Sequence, residues 1–200
     1  MSGAGGASGT GEIAAAAARM VVEEGLEYGS AKRRAQRDLG RRGAALPSNE
    51  ALEAEVREYI AVFCAETQPA ELHALREVAL TWMHKLHTFR PHLAGAVWRG
   101  TATRLSSVHL ELYCDDPKSA EFALLDQRIA YDVGALEQHG AEPLTVLTVA
   151  SRSAALDEHV TVHVTVLDHD DLRGALKPDA QGRSWRGDLA ALQTLLEKGA

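Results

Sequence analysis

The apolar residues of this chain change period near residue 92, and that change limits what the chain can fold into. Up to there they recur every three or four positions, and beyond it alternating stretches appear, separated by helical ones. The first spacing lines one face of a helix, and the second lines one face of a strand. In "EALEAEVREYIAVFCAETQ", Leu52, Val56, Tyr59, Ile60 and Phe63 share a stripe, with Ser48 or Asn49 as the N-cap. Pro69 opens the next helix, where its missing N–H costs little. That helix puts Leu72, Leu75, Val78, Ala79, Trp82 and Leu86 on a core face, and Pro91 closes it.

Alternation follows. "LAGAVWRG" reads as a short strand. "SVHLELYC" points Val108, Leu110 and Leu112 one way and His109, Glu111 and Tyr113 the other. "PLTVLTVAS" is a strand. "EHVTVHVTVLDHDD" is another, with Val160, Val162, Val164 and Val166 opposite Thr161, His163 and Thr165. "DPKSAEFALLDQRIAYD" is a helix begun by Asp116-Pro117, with Ala120, Ala123, Leu124 and Ile129 inward, and Asp188 caps a last helix, "LAALQTLLEK". This order predicts an α+β fold: a mixed β-sheet with helices on one face, preceded by a helical N-terminal segment. The expected division is a disordered tail over residues 1–11, a helical segment over 12–92, and an α/β core with its C-terminal helix over 93–200.

The tail, "MSGAGGASGTGE", lacks a basic region followed by an apolar one, so it is not read as a secretory signal. Its Gly and Ser residues lose much entropy on ordering and bring little to bury. "EIAAAAARMVVEEGLEYGSAKRRAQRDLG" then reads as two short helices interrupted at Gly25 and Gly29, with Ser30 as a cap and Gly40 as the end. No apolar run reaches membrane-spanning length. Cys64 and Cys114 are isolated, which fits reduced thiols and a cytoplasmic setting.

Net charge is −7, which argues against a protein that coats nucleic acid. The charge is uneven, however. Lys32, Arg33, Arg34, Arg37, Arg41 and Arg42 face only Asp38 within Lys32–Arg42. Such a helix can meet a phosphate backbone or can simply balance an acidic remainder. No aromatic residue interleaves with the arginines to stack on bases.

His109 and Glu111 lie on one strand and His163 on another. If those strands are neighbours in register, two imidazoles and a carboxylate converge and would suit a divalent metal. The same residues equally suit a solvated sheet face. His84, His87 and His92 cluster at a helix end, where imidazoles also favour the helix dipole. Cys64 sits among apolar residues and packs as a small hydrophobe.

"RGTATRLSSVHLELY" resembles the signature of the nucleotidyltransferase superfamily, the polymerase-beta-like fold. That pattern is a strand ending in Gly-Gly or Gly-Ser, a short helical turn, a serine, and then acid–apolar–acid–apolar on the next strand. A third acid follows on a later strand. Gly100-Thr101 falls in the glycine slot, Ser107 in the serine slot, His109–Leu112 in the acidic slot, and Val162–Val164 in the third. The closing "RGDLAALQTLL" resembles the family's terminal helix.

The resemblance implies a nucleotidyltransferase-like core over Leu93–Lys198 that moves a nucleotidyl group from a nucleoside triphosphate to an acceptor. Gly100, Thr101 and Ser107 would hold phosphate, and Lys177, Arg183 and Arg186 would meet the triphosphate. His109, Glu111, His163 and Asp168 would hold the metal, with Glu111 and His109 as the catalytic pair. Asp170 and Asp171 are further carboxylates nearby in sequence.

The chain departs from the pattern where the metal belongs, since two of the three acidic slots are histidine. Magnesium prefers oxygen ligands, so the expected ion shifts toward manganese or zinc, or toward none. A catalytically inactive member serving as a binding or oligomerisation module is the alternative. Contact with nucleic acid through residues 32–42 is a second.

Overall fold

A computed structural model of the chain describes residues 4–114, 116–137, 142–172, 177–179 and 182–198. It is an α+β protein, and its chain divides into two compact units. One is Met1–Pro69 with Thr101–Leu105; the other is Ala70–Gly100 with Ser106–Ala200. No described helix is long and apolar enough to cross a membrane.

The first unit contains α1 (Ala4–Glu24), α2 (Tyr28–Asp38) and α3 (Asn49–Phe63). Its core is Ile13, Ala17, Val21, Ala31, Ala35, Leu52, Val56 and Ile60, with their neighbours. The expected α3 stripe holds except at its end. Phe63 is 67 % exposed and stacks beside Tyr59 instead. Ser48 caps α3 as expected, its hydroxyl accepting from the Ala51 N–H. Ser30 does not cap α2, which begins two residues earlier behind Glu27.

α1 takes in most of the segment expected to be a disordered tail. Beyond Thr10 the helix is anchored by buried Ile13, Ala14 and Ala17 and by an ion pair from Glu12 to Arg41 at 2.6 Å. Gly25 ends α1 at φ +68°. A Cβ there would stand 2.8 Å from the Leu105 carbonyl oxygen, so this turn needs glycine twice over.

The second unit holds α4 (Gln68–Lys85) from Ala70 onward, although the sequence groups this helix with the N-terminal ones. It continues through β1 (His92–Ala94), α5 (Gly95–Arg99), β2 (Val108–Tyr113) and α6 (Pro117–Asp126). Then come β3 (Asp132–Leu136), β4 (Leu144–Ser153), β5 (Glu158–Leu167), β6 (Arg186–Gly187) and α7 (Leu189–Lys198). The core face of α4 is as expected, with Leu72, Leu75, Val78, Ala79, Trp82 and Leu86 all buried.

The strands form one mixed sheet in the order β3-β4-β5-β2-β1-β6. β2 and β5 are parallel, and the other neighbours are antiparallel. In this register Val108, Leu110 and Leu112 lie beside Val162, Val164 and Val166, and Leu147 and Val149 lie beyond them. All are buried, so one face of the sheet is core. α6 packs on β5, and α7 packs on β1 and β6.

Three elements differ from expectation. "LAGAVWRG" is a three-residue strand that stops at Gly95, whose φ of +66° turns the chain into α5. The helix expected to run to Asp132 ends at Asp126, Arg128 soon takes φ +56°, and β3 follows from Asp132 in a stretch for which no strand was expected. β6 is a two-residue pairing of Arg186 and Gly187 with β1.

Gly187 lies against the Trp98 ring, and a Cβ at that position would stand 2.1 Å from it. The indole cannot retreat freely, because its Nε1–H donates to the Ser184 carbonyl at 2.9 Å. Gly187→Ala should therefore cost about 1–3 kcal/mol. Urea unfolding followed by tryptophan fluorescence measures this, and an unchanged midpoint would show that the packing is looser than described.

Candidate functional site

The face of the sheet opposite the core carries polar side chains from five strands. On β2 these are His109, Glu111 and Tyr113. β1 places Ala94 opposite His109 and His92 opposite Glu111. β5 places His163 opposite His109 and Thr165 opposite Glu111. β4 places Thr148 opposite His163, and β6 places Arg186 opposite Ala94. The small Ala94 leaves room for Arg186 to reach across β1 toward β2.

That reach makes the strongest polar contact on this face. Arg186 Nη1 donates to Glu111 Oε2 at 2.5 Å and to the Tyr113 hydroxyl oxygen at 2.7 Å. The Tyr113 hydroxyl donates to the same carboxylate oxygen at 2.8 Å. The arginine and glutamate side chains are only 21 % and 19 % exposed, so the pair is poorly screened by solvent. Tyr113 is 2 % exposed, and its phenol is held well above its ordinary pKa. Burial is the main cause, followed by the Glu111 charge and the hydrogen bond to it; Arg186 works in the opposite sense. His92 meets the Tyr113 ring edge-on at 5.3 Å and shares a 2.9 Å hydrogen bond between Nδ1 and the Arg90 carbonyl.

Beside this cluster the rings of His109 and His163 lie 5.2 Å apart, tilted by 31°. His163 Nδ1 bonds the Thr148 hydroxyl at 3.0 Å. Gly95 lies against the His109 ring; a Cβ there would stand 3.4 Å from Cδ2.

The expected metal ligands are thus only partly assembled. His109 and His163 are neighbours and Glu111 shares their face, but its carboxylate is bonded to Arg186 and Tyr113. Among the described residues no three His, Cys, Asp or Glu side chains are grouped to hold a metal ion. Asp168 is not brought to them. It follows the far end of β5, where Leu167 pairs with Tyr113, and its carboxylate caps a turn by accepting from the Asp170 N–H at 2.8 Å. Asp170 and Asp171 belong to that same turn.

The expected phosphate contacts are scattered. Gly100 caps the end of α5 at φ +80°, near the Arg76 guanidinium, and does not end a strand. Thr101 is buried in the first unit, and its hydroxyl has no hydrogen-bond partner among the described residues. Ser107 directly precedes β2. Lys177 is exposed. Arg183 bonds Asp179, as does Arg99, in a lock that fixes the segment before β6. Only Arg186 among the expected cations reaches the polar face, and it neutralises the carboxylate that was expected to hold metal.

The alternation places Tyr113 on this face without marking it as a site residue, and it does not bring Gly95 or His92 here. His84 and His87 do not join His92, because His87 Nδ1 bonds the His84 carbonyl at the helix end.

Three of the six basic residues of the run Lys32–Arg42 are used in local structure. Arg34 pairs with Glu24 and Asp38, and Arg41 pairs with Glu12. Lys32 Nζ donates to the Pro47 carbonyl and to Asn49. Arg33, Arg37 and Arg42 make no ion pair among the described residues.

No protein family, curated protein or solved structure matches this chain.

The raised pKa of Tyr113 sets a pH dependence. The folded state prefers the neutral phenol, so its contribution is intact below the unfolded pKa of 10.0 and declines as pH rises above it. The expected slope is about 1.4 kcal/mol per pH unit. Tyr113→Phe should remove that component, so the difference between wild type and variant should change only above pH 10. Parallel alkaline stability curves for the two proteins would contradict this.

Proposed function

We propose that residues 93–198 form a nucleotidyltransferase-like core whose acidic metal site has been exchanged for an arginine-neutralised one. In this reading the protein is a binding module and does not transfer nucleotidyl groups. The order of parts supports the kinship: a strand stopped by Gly95, the short helix α5, Ser107, the alternating strand β2, and β5 paired beside it. The salt bridge between Arg186 and Glu111 carries the loss of activity. Two-metal or one-metal phosphoryl chemistry needs anionic oxygens free to hold a dication at the reacting phosphate. Here the remaining acid already has a cation, and both neighbouring slots are imidazole.

A second reading keeps the enzyme. The imidazole neighbours at 5.2 Å favour it, because His109 and His163 would suit manganese or zinc better than magnesium if Glu111 were released.

Calorimetry and turnover assays with ATP, GTP, CTP and UTP, each with magnesium, manganese or zinc, separate the two readings. The expected result is no triphosphate consumption in any combination. Metal-dependent transfer or hydrolysis that disappears in Glu111→Gln, with the fold retained, would establish the enzyme instead.

A further inference from the structure

The two edges of the sheet are unequal. β6 closes one edge with only two residues, and its Gly187 is buried under Trp98. β3 closes the other with five residues, all exposed, and among the described residues no strand lies beyond it. Alternate residues of β3 therefore turn their N–H and C=O groups outward without a ladder partner. An open edge of this kind pairs readily with another strand, and proteins usually blunt it with lysine, proline or a bulge. "DVGAL" has no lysine or proline, and its five residues pair with β4 in unbroken register. Val133 and Leu136 are 60 % and 51 % exposed, on opposite faces of the strand.

We infer that β3 is a self-association edge, and that its partner is β3 of a second copy, joined antiparallel about a twofold axis at Gly134. The sequence supports a copy of itself as the occupant. The register that uses all five residues sets Val133 against the partner's Ala135, Gly134 against the partner's Gly134, and Asp132 against the partner's Leu136. No like charges meet, and Asp132, the only charge in the strand, is never opposed to itself. Each apolar side chain gains a neighbour on its own face. The pairing joins two six-stranded sheets into one and leaves the Arg186 face untouched. It rests on the open edge alone, so neither reading of the Glu111 site decides it.

A ladder this short gives a small interface, so the dimer is weak and reversible, with half-association on the order of 100 µM. The chain's net charge of −7 opposes self-association, so added salt should raise the dimer fraction. Sedimentation across a concentration series of the full chain tests this. Wild type should shift from monomer to dimer, and Val133→Lys with Leu136→Lys should weaken the dimer at least tenfold while circular dichroism stays the same. Register is tested by oxidising Asp132→Cys/Leu136→Cys, which should form a covalent dimer. Asp132→Cys alone should not, because the two thiols would sit about 13 Å apart along the strands. Wild type under the same oxidation controls for Cys64 and Cys114. A wild type that stays monomeric at every concentration and salt, a dimer indifferent to the lysines, or cross-linking equal in the single and double cysteine variants would overturn the proposal.

Discussion

The parallel pairing of β2 with β5 is the constraint on which the second unit depends. Parallel neighbours cannot be joined by a tight turn, so after Tyr113 the chain must be carried back to the end of the sheet where β2 began before it can enter β5. It does so through α6 and the β3–β4 meander, which places β3 at the far edge and β4 antiparallel beside β5. The register is fixed by burial. Leu110 beside Val164 and Leu112 beside Val166 put these branched apolar side chains on the core face, and a slip of one residue would expose them. The pairing of His109 with His163 follows from that register, whatever those imidazoles do.

The polar face is tied to the C-terminal segment by a chain of contacts. Arg99 on α5 holds Asp179 in a buried ion pair, and its guanidinium stacks over Trp185. Trp98, one residue earlier, bonds Ser184 and covers Gly187. These contacts present Arg186 to β1 in strand conformation, and the small Ala94 beneath it leaves the way open to Glu111. Removing one partner from a desolvated pair of this kind costs about 3–5 kcal/mol. The guanidinium is therefore a fixed part of the face and not a surface charge awaiting a ligand.

What was legible in the sequence was whatever leaves a local pattern. The alternation at 108–113 and 158–167 gave two central strands, and the stripe from Leu72 to Leu86 gave α4, because in each case burial selects the residue type. β3 left no such trace. All five of its residues are exposed, so no face was selected for, and beyond Asp132, where the expected helix ended, the stretch was given no element. β6 is too short for any period. Gly95 was passed over because Val97 and Trp98 continue to read as strand residues, although the positive φ at Gly95 has already ended the strand. The polar face was read in part. His109, Glu111 and His163 stand where alternation places them, but the partnership of Arg186 with Glu111 spans 75 positions and depends on β6, so no local spacing could indicate it. The basic run is conspicuous in composition, but composition does not show that Lys32, Arg34 and Arg41 brace helices and a loop.

The two histidines and the arginine make sense together. Carboxylates at positions 109, 111 and 163 would stand within a few ångströms of one another on a half-buried face, and such a cluster needs a bound dication to keep its charges ionised. Imidazoles bring no negative charge to the face, and the His109 and His163 rings lie 5.2 Å apart. That leaves a single negative charge, Glu111, and a single guanidinium is enough to balance it. The Tyr113 hydroxyl completes the arrangement by donating to the carboxylate while accepting from the arginine. His109, His163 and Arg186 thus act in one direction: the histidines offer no carboxylate to hold a metal, and the arginine occupies the one that Glu111 offers. A metal ion arriving at Glu111 would have to displace both the guanidinium and the phenol, and would then leave Arg186 partly buried without its acid.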